Sequence, residues 1–328
     1  MVKITAHNED TKSTRSHLWL ATDPNEMVSF EHGMILEANR HLVRAQVRVP
    51  DSARALLGEV TYDSKPLHGI QIVTTLDPGQ EQSVFIAIPF IPGLSEDERA
   101  RLAELDYGTE RARVLTYWRT TAQAIPFDIP EKRFVSFAKA ASIHVRISVT
   151  KDPKSGLYIL PPASYVYDEY AHEAGMQAMA LDALGDHRRA ARYLETPIRL
   201  QGSEPFPGTF TGDQRGVYYG TRVDSEYDYT YQHWYNLDHG IVLWALGEHY
   251  FFTRDAEWFH HAAPSMMRAA DWIIEQRRLT QVYDGAKKAP EYGLLPAGHL
   301  EDNDDWANWF AVDSFAWAGM TRLAQALA

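Results

Sequence analysis

SYVYDEYAHEAGMQAMALDALGDHRRAARYLE, residues 164–195, decides how the chain is read. It opens on tyrosines and acids and continues into a run of small and apolar residues, GMQAMALDALG. A tight turn at LGDHRRA (184–190) then leads into an amphipathic segment. The spacing predicts two helices, over about 168–184 and 186–201, the first carrying apolar residues on most sides. The same grammar returns at YDYTYQHWYNLDHG (227–240), which leads into GIVLWALG, and at HLEDNDDWANWFAVDS (299–314), which leads into FAWAGMTRLAQALA. ALDALGD (180–186) and VLWALGE (242–248) share the ALG end. These are internal repeats: aromatic, acidic lead-ins enter apolar helices, and short turns such as TRDAEW (253–258) join each apolar helix to an outer partner. When repeated helical hairpins stack, each buries its neighbour's apolar side, and the lead-ins converge on one face. The converging N-termini direct positive dipole ends toward that face, which favours carboxylates and polarised hydroxyls there.

Upstream, the period changes. HLVRAQVRV (41–49), GIQIVTTL (69–76) and SVFIAIPF (83–90) alternate apolar and polar, with turn material such as DPGQ (77–80) between them, so 1–94 reads as antiparallel sheet, a β-sandwich segment of a larger β domain. SEDERARLAELDYGTERARVLTYWRTTAQ (95–123) reads as one linker helix with Ser95 at its N-cap. Further helices are predicted over 134–149, 236–252 and 255–279 and from about 309 onward. The expected organisation is thus a β-sandwich segment (1–94), a linker helix (95–124) and helical hairpins (125–328).

The 328 residues carry 32 basic and 44 acidic side chains, a net charge of −12, which repels phosphate backbones and anionic headgroups. Neither nucleic acid nor a membrane is an expected partner, and no apolar stretch approaches the length of a span. Zero cysteines exclude disulfides, thiol catalysis and thiolate metal sites. The first 20 residues are polar where a signal peptide needs an apolar core, so a soluble, cytoplasmic protein is expected. No Ser stands in a G-x-S-x-G elbow, GTFTGD (208–213) lacks the lysine of a phosphate loop, and the histidines lack zinc-pair spacing. No metal and no cofactor are expected.

Residues 164–195, 236–259 and 292–320, placed behind a β-sandwich segment and a linker helix, resemble the six-hairpin, (α/α)6-barrel glycoside hydrolases, most closely the inverting group of trehalases and processing α-glucosidases. The resemblance implies a mixed, mainly α fold with an incomplete (α/α)6 toroid, and cleavage of an α-linked sugar with inversion. Trehalase-like enzymes carry an ESGWD element whose last Asp is the general acid. Here Glu301-Asp302-Asn303-Asp304-Asp305 keeps the Glu and the final Asp and departs between them. Carried over residue by residue, Asp305 is the candidate acid and Glu301 its companion, with Asp302 and Asp304 as rivals. Three inner helices stand where such a barrel has six. The chain is therefore expected either to be the N-terminal part of a longer enzyme or to be completed by another chain, with the second carboxylate outside these residues. An α-rhamnosidase-like specificity and a non-catalytic carbohydrate-binding or scaffold protein are the alternatives.

Glycoside hydrolysis needs one protonated and one ionised carboxyl, held about 6.5–9.5 Å apart in inverting enzymes. Crowding of acids raises the pKa of at least one of them. Trp306 and Trp309 would offer flat faces to the sugar ring; the competing role for Asp304 or Asp305 is to cap the helix that follows. Tyr167, Asp168 and Glu173 of the first lead-in, and Trp234, Tyr235, Asp238 and His239 of the second, are the other candidate sugar-binding residues, with capping again the alternative for the acids.

Overall fold

The computed structural model describes every residue except 24, 124–128, 164–166, 204, 224–228, 231–234 and 301–304. The fold is mixed, with antiparallel sheets and, among the described residues, eight α-helices. The chain divides into two compact units, Met1–Arg119 and Thr120–Ala328.

In the first unit, eight strands form two antiparallel sheets. β1 (Val2–His7), β2 (Thr14–Ala21), β3 (Val28–Glu31), β4 (Met34–Glu37), β5 (Val43–Arg48), β6 (Arg54–Tyr62), β7 (Lys65–Leu76) and β8 (Glu81–Ala87) are ordered β1-β8-β5-β4-β3 and β2-β7-β6. Alternation decides which face is buried: Val43, Ala45 and Val47 of β5 point inward while Arg44, Gln46 and Arg48 do not. Ile70 and Ile72 of β7 meet Val28, Ile35, Val47, Val84 and Ile86 of the five-stranded sheet in one core, so the two sheets form a sandwich. The DPGQ stretch turns as expected, with Gln80 N–H donating to Asp77 O and Gly79 at φ +74°.

The single linker helix expected over 95–124 is two helices, α1 (Glu96–Glu104) and α2 (Tyr107–Gln123). Ser95 caps α1 in a full capping box with Glu98. The break comes at Asp106, whose carboxylate accepts Thr109 N–H at 2.7 Å and so starts a new helix where the charge pattern alone reads as continuous. That bond holds the Asp106 carboxyl below the usual carboxylate range.

The second unit contains α3 (Lys132–Ile147), α4 (Ala171–Ala183), α5 (His187–Leu200), α6 (Leu237–Thr253), α7 (Ala256–Leu279) and α8 (Phe310–Leu327). α4, α6 and α8 form one row with α6 in the middle; α5 packs on both α4 and α6, and α7 on both α6 and α8. Leu181, Leu194, Ile241, Leu243, Leu246, Met266 and Ile273 are fully buried in this core. The row is close because of glycine. A Cβ on Gly240 would lie 2.5 Å from Ala316 N, and one on Gly319 would lie 2.9 Å from Gly240 O, so α6 and α8 touch backbone to backbone. The glycines at the α6–α8 crossing therefore have a packing reason. α7 is capped by Asp255, which accepts Trp258 N–H at 3.0 Å. The N-cap residues of α4, α6 and α8 (Tyr170, Asn236 and Trp309) make no side-chain cap bond. No helix among the described residues is long and apolar enough to cross a membrane.

Candidate functional site

The three lead-ins meet. α4 starts three residues later than the periodicity predicts, because Glu169 is extended and paired with Thr221: each backbone N–H donates to the other's carbonyl at 2.9 Å. The approach needs Gly220, where a Cβ would lie 2.0 Å from Glu169 O. Tyr170 then stacks on Tyr235 of the second lead-in, with ring centroids 4.9 Å apart and planes 24° apart. Tyr167 meets Tyr170 edge-on at 6.1 Å. The second lead-in joins the third through Asn236, which donates its backbone N–H to His299 O at 3.1 Å and its Nδ2 to Pro207 O at 3.0 Å. The third lead-in is itself folded by an antiparallel bridge between Gly298 and Ala307.

The ends of α4 and α6 are tied by Asp238. Its Oδ1 accepts the His172 backbone N–H at 2.8 Å and lies 2.7 Å from His172 Nδ1. An acid from α6 thus takes the place of a side-chain cap on α4, at the positive end of that helix. Both residues are buried. Beside them Glu169, 2% exposed, has one carboxyl oxygen accepting Leu160 N–H. Burial, chiefly, and the Asp238 charge push its carboxyl up to about 8, against the lowering effect of the Leu160 bond. At neutral pH Glu169 is therefore mostly protonated. Its other oxygen, Oε1, is buried with no hydrogen-bond partner, as is Thr221 Oγ1.

The expected sugar-binding residues fall in different surroundings. Tyr167 (45% exposed) and Trp306 (52% exposed) present open ring surface. Asp168 precedes α4 instead of lying on it, as a helix over 168–184 would have it, and sits 4.0 Å from Arg222 Nε. Glu173 is in the first turn of α4 and half-buried. Trp309 is half-buried and donates its indole N–H to Gly298 O at 2.8 Å, which holds the lead-in closed. His239 is buried between helices: its Nδ1 accepts Tyr218 N–H at 3.2 Å and its Nε2 donates to Ala269 O at 3.2 Å, a structural use of both ring nitrogens. Asp305 is exposed, and the N-cap position of α8 belongs to Trp309, so Asp305 is not that helix's cap. Trp234, Glu301, Asp302 and Asp304 lie outside the described residues. Among the described residues no cluster of three or more His, Asp or Glu could hold a metal ion.

Sequence reasoning placed Glu169, Tyr170 and His172 in the first lead-in but singled out Asp168 and Glu173 instead. Glu169 and Tyr170 are extended, and a period-two reading there sets Glu169 on the face opposite Asp168. Thr221 carried no signal.

Elsewhere in the unit, Phe310 (78% exposed) and Trp317 (71% exposed), two turns apart on α8, rim an apolar cavity of about 620 Å³ lined also by Trp244, Ile273, Leu294 and Met320. At the opposite end of α4 and α6, buried Asp182 lies 2.8 Å from the Nδ1 of both His187 and His249, joining α4, α5 and α6. No protein-family model matches the chain, and no curated protein matches it.

Proposed function

We propose that the helical unit carries the crevice of a glycoside hydrolase that cleaves an α-linked sugar with inversion, on an (α/α)6 toroid. The observation that supports this reading is the meeting of the three lead-ins: Tyr170 against Tyr235, Asp238 on His172, and Asn236 on His299. The same lead-ins carry open aromatic faces, Tyr167 and Trp306, and the acids Asp168, Glu173 and Asp305. Flat apolar rings beside carboxyl groups suit a sugar, which offers C–H faces to the rings and hydroxyls to the acids. In this mechanism Asp305 protonates the leaving oxygen, Glu301 or Asp302 tunes it by charge, and a carboxylate on the other side of the sugar activates water. An α-rhamnosidase-like specificity would use the same arrangement.

The test is a hydrolysis screen against aryl α-glycosides with the wild type and Asp305→Asn. Loss of a general acid lowers kcat by about 10²–10⁴-fold. Undiminished activity in Asp305→Asn would remove Asp305 from the role.

A second reading, a carbohydrate-binding or scaffold protein without turnover, is favoured by one observation. The Phe310 and Trp317 stripe on α8 has the spacing of a helix-packing seam and borders an apolar cavity. A second copy or further helical hairpins would cover it. Sedimentation velocity over a concentration series, on the wild type and Trp317→Glu, distinguishes the two: a concentration-dependent dimer abolished by Trp317→Glu identifies a second copy.

A further inference from the structure

Glu169 and Thr221 face each other across the bridge that precedes α4. Directly opposed residues of an antiparallel pair project from the same face, with Cβ atoms about 4.5–5.5 Å apart. The carboxyl and the hydroxyl therefore leave the bridge side by side. Each has an oxygen that is buried without a hydrogen-bond partner, Glu169 Oε1 and Thr221 Oγ1, while the second carboxyl oxygen is committed to Leu160 N–H. One such atom costs about 1–3 kcal/mol. Two on one face of one bridge mark a place built for a polar group from outside the fold.

The chemistry of that group follows from the pair. With its carboxyl raised to about 8, Glu169 at neutral pH offers Oε1 as an O–H donor, and Thr221 Oγ1 can donate or accept. A cation gains little from a protonated carboxyl. An anion would lie close to the Asp238 carboxylate, whose charge already acts on Glu169. A neutral hydroxyl accepts from one oxygen and donates to the other, so it satisfies both. The start of α4 follows at once, with Tyr170 as its N-cap residue, and its positive end favours an oxygen lone pair at the same place.

We infer that Glu169 Oε1 and Thr221 Oγ1 form a hydroxyl-binding subsite at the base of the crevice, which takes one hydroxyl of the α-linked sugar beside the Tyr170–Tyr235 stack. The inference rests on the glycosidase reading for the identity of its ligand.

The experiment measures binding of methyl α-D-glucopyranoside, methyl α-D-mannopyranoside and methyl α-L-rhamnopyranoside to the full chain by titration calorimetry at pH 7 and pH 9. The proteins are the wild type, Glu169→Gln, Thr221→Val and Thr221→Ser. At least one glycoside binds the wild type at pH 7. Its affinity falls about tenfold by pH 9, because the protonated fraction of a group with pKa near 8 falls from about 0.9 to about 0.1. Glu169→Gln keeps a donor and an acceptor in place and abolishes that pH dependence. Thr221→Val weakens binding about five- to tenfold at pH 7, the size of one lost hydrogen bond, and Thr221→Ser restores it. If a glycoside binds with no fall between pH 7 and 9 and Thr221→Val binds like the wild type, the subsite is overturned and the glycosidase reading stands. If no glycoside binds at either pH, both fall. Should Glu169→Gln fail to fold, the wild-type pH profile and the Thr221 pair still decide.

Discussion

Glu169→Gln should remove the pH dependence that one buried carboxyl imposes on the helical unit. In the unfolded chain Glu169 has the ordinary value of 4.5; in the fold it is pushed up to about 8. Between those values the folded state holds a proton that the unfolded state has released, so stability falls as pH rises through this window. The contribution is fully present below pH 4.5 and lost once pH passes about 8. At about 1.4 kcal/mol per pH unit the loss amounts to about 4–5 kcal/mol, a large part of the stability of an ordinary domain. Glutamine cannot ionise, and its amide can still accept Leu160 N–H. Urea unfolding of both proteins at pH 5, 7 and 9, followed by tryptophan fluorescence, measures the difference. All nine tryptophans except Trp19 and Trp118 lie in the helical unit, so the signal reports the right part of the chain. The wild type should lose ground to Glu169→Gln steadily from pH 5 to pH 9 and be the less stable protein at pH 9. Parallel pH profiles for the two would show that Glu169 is not held protonated, and the reasoning from its burial would fail.

Other outcomes follow from the packing. Gly319→Val places a side chain where Gly240 O and Leu243 already stand 2.9 Å from a Cβ, so overpacking should destabilise the helical unit by about 1–3 kcal/mol and lower its melting temperature in calorimetry. Asp255→Ala removes the cap on Trp258 N–H and should cost about 1 kcal/mol in the same measurement, with Asp255→Asn nearly neutral.

The sequence made β5, β7 and β8 readable because each alternates against a buried face, and Val43, Ala45, Val47, Ile70 and Ile72 mark that face. The edge strands were harder. β6 has a partner on one side alone and exposes Leu56 and Leu57, so its apolar residues follow no period. β1, at the edge of the other sheet, exposes most of its length. The break between α1 and α2 was hidden because Asp106 reads as one more surface charge until its bond to Thr109 is seen. The helices α4, α6 and α8 were legible from their small and apolar residues, and the close crossing of α6 and α8 explains why Gly240 and Gly319 are glycine.

The lead-ins were legible as a set, since acids beside rings at three helix starts need no structure to be noticed. Which acid is perturbed was not legible. The environment of Glu169 is made by Leu160, Thr221 and Asp238, none of them adjacent to it in sequence, and by an extended backbone where the helical pattern predicts α4. His239 shows the opposite limit: its position in a lead-in marked it as a sugar contact, and both its ring nitrogens serve backbone groups.

The proposed chemistry is tested most directly by proton NMR of the sugar that the wild-type protein releases from an aryl α-glycoside, recorded before mutarotation. Inversion at an α-linked sugar gives the β-anomer first. Initial release of the α-anomer would contradict the inverting mechanism, and no release from any α-glycoside would contradict the hydrolase reading itself.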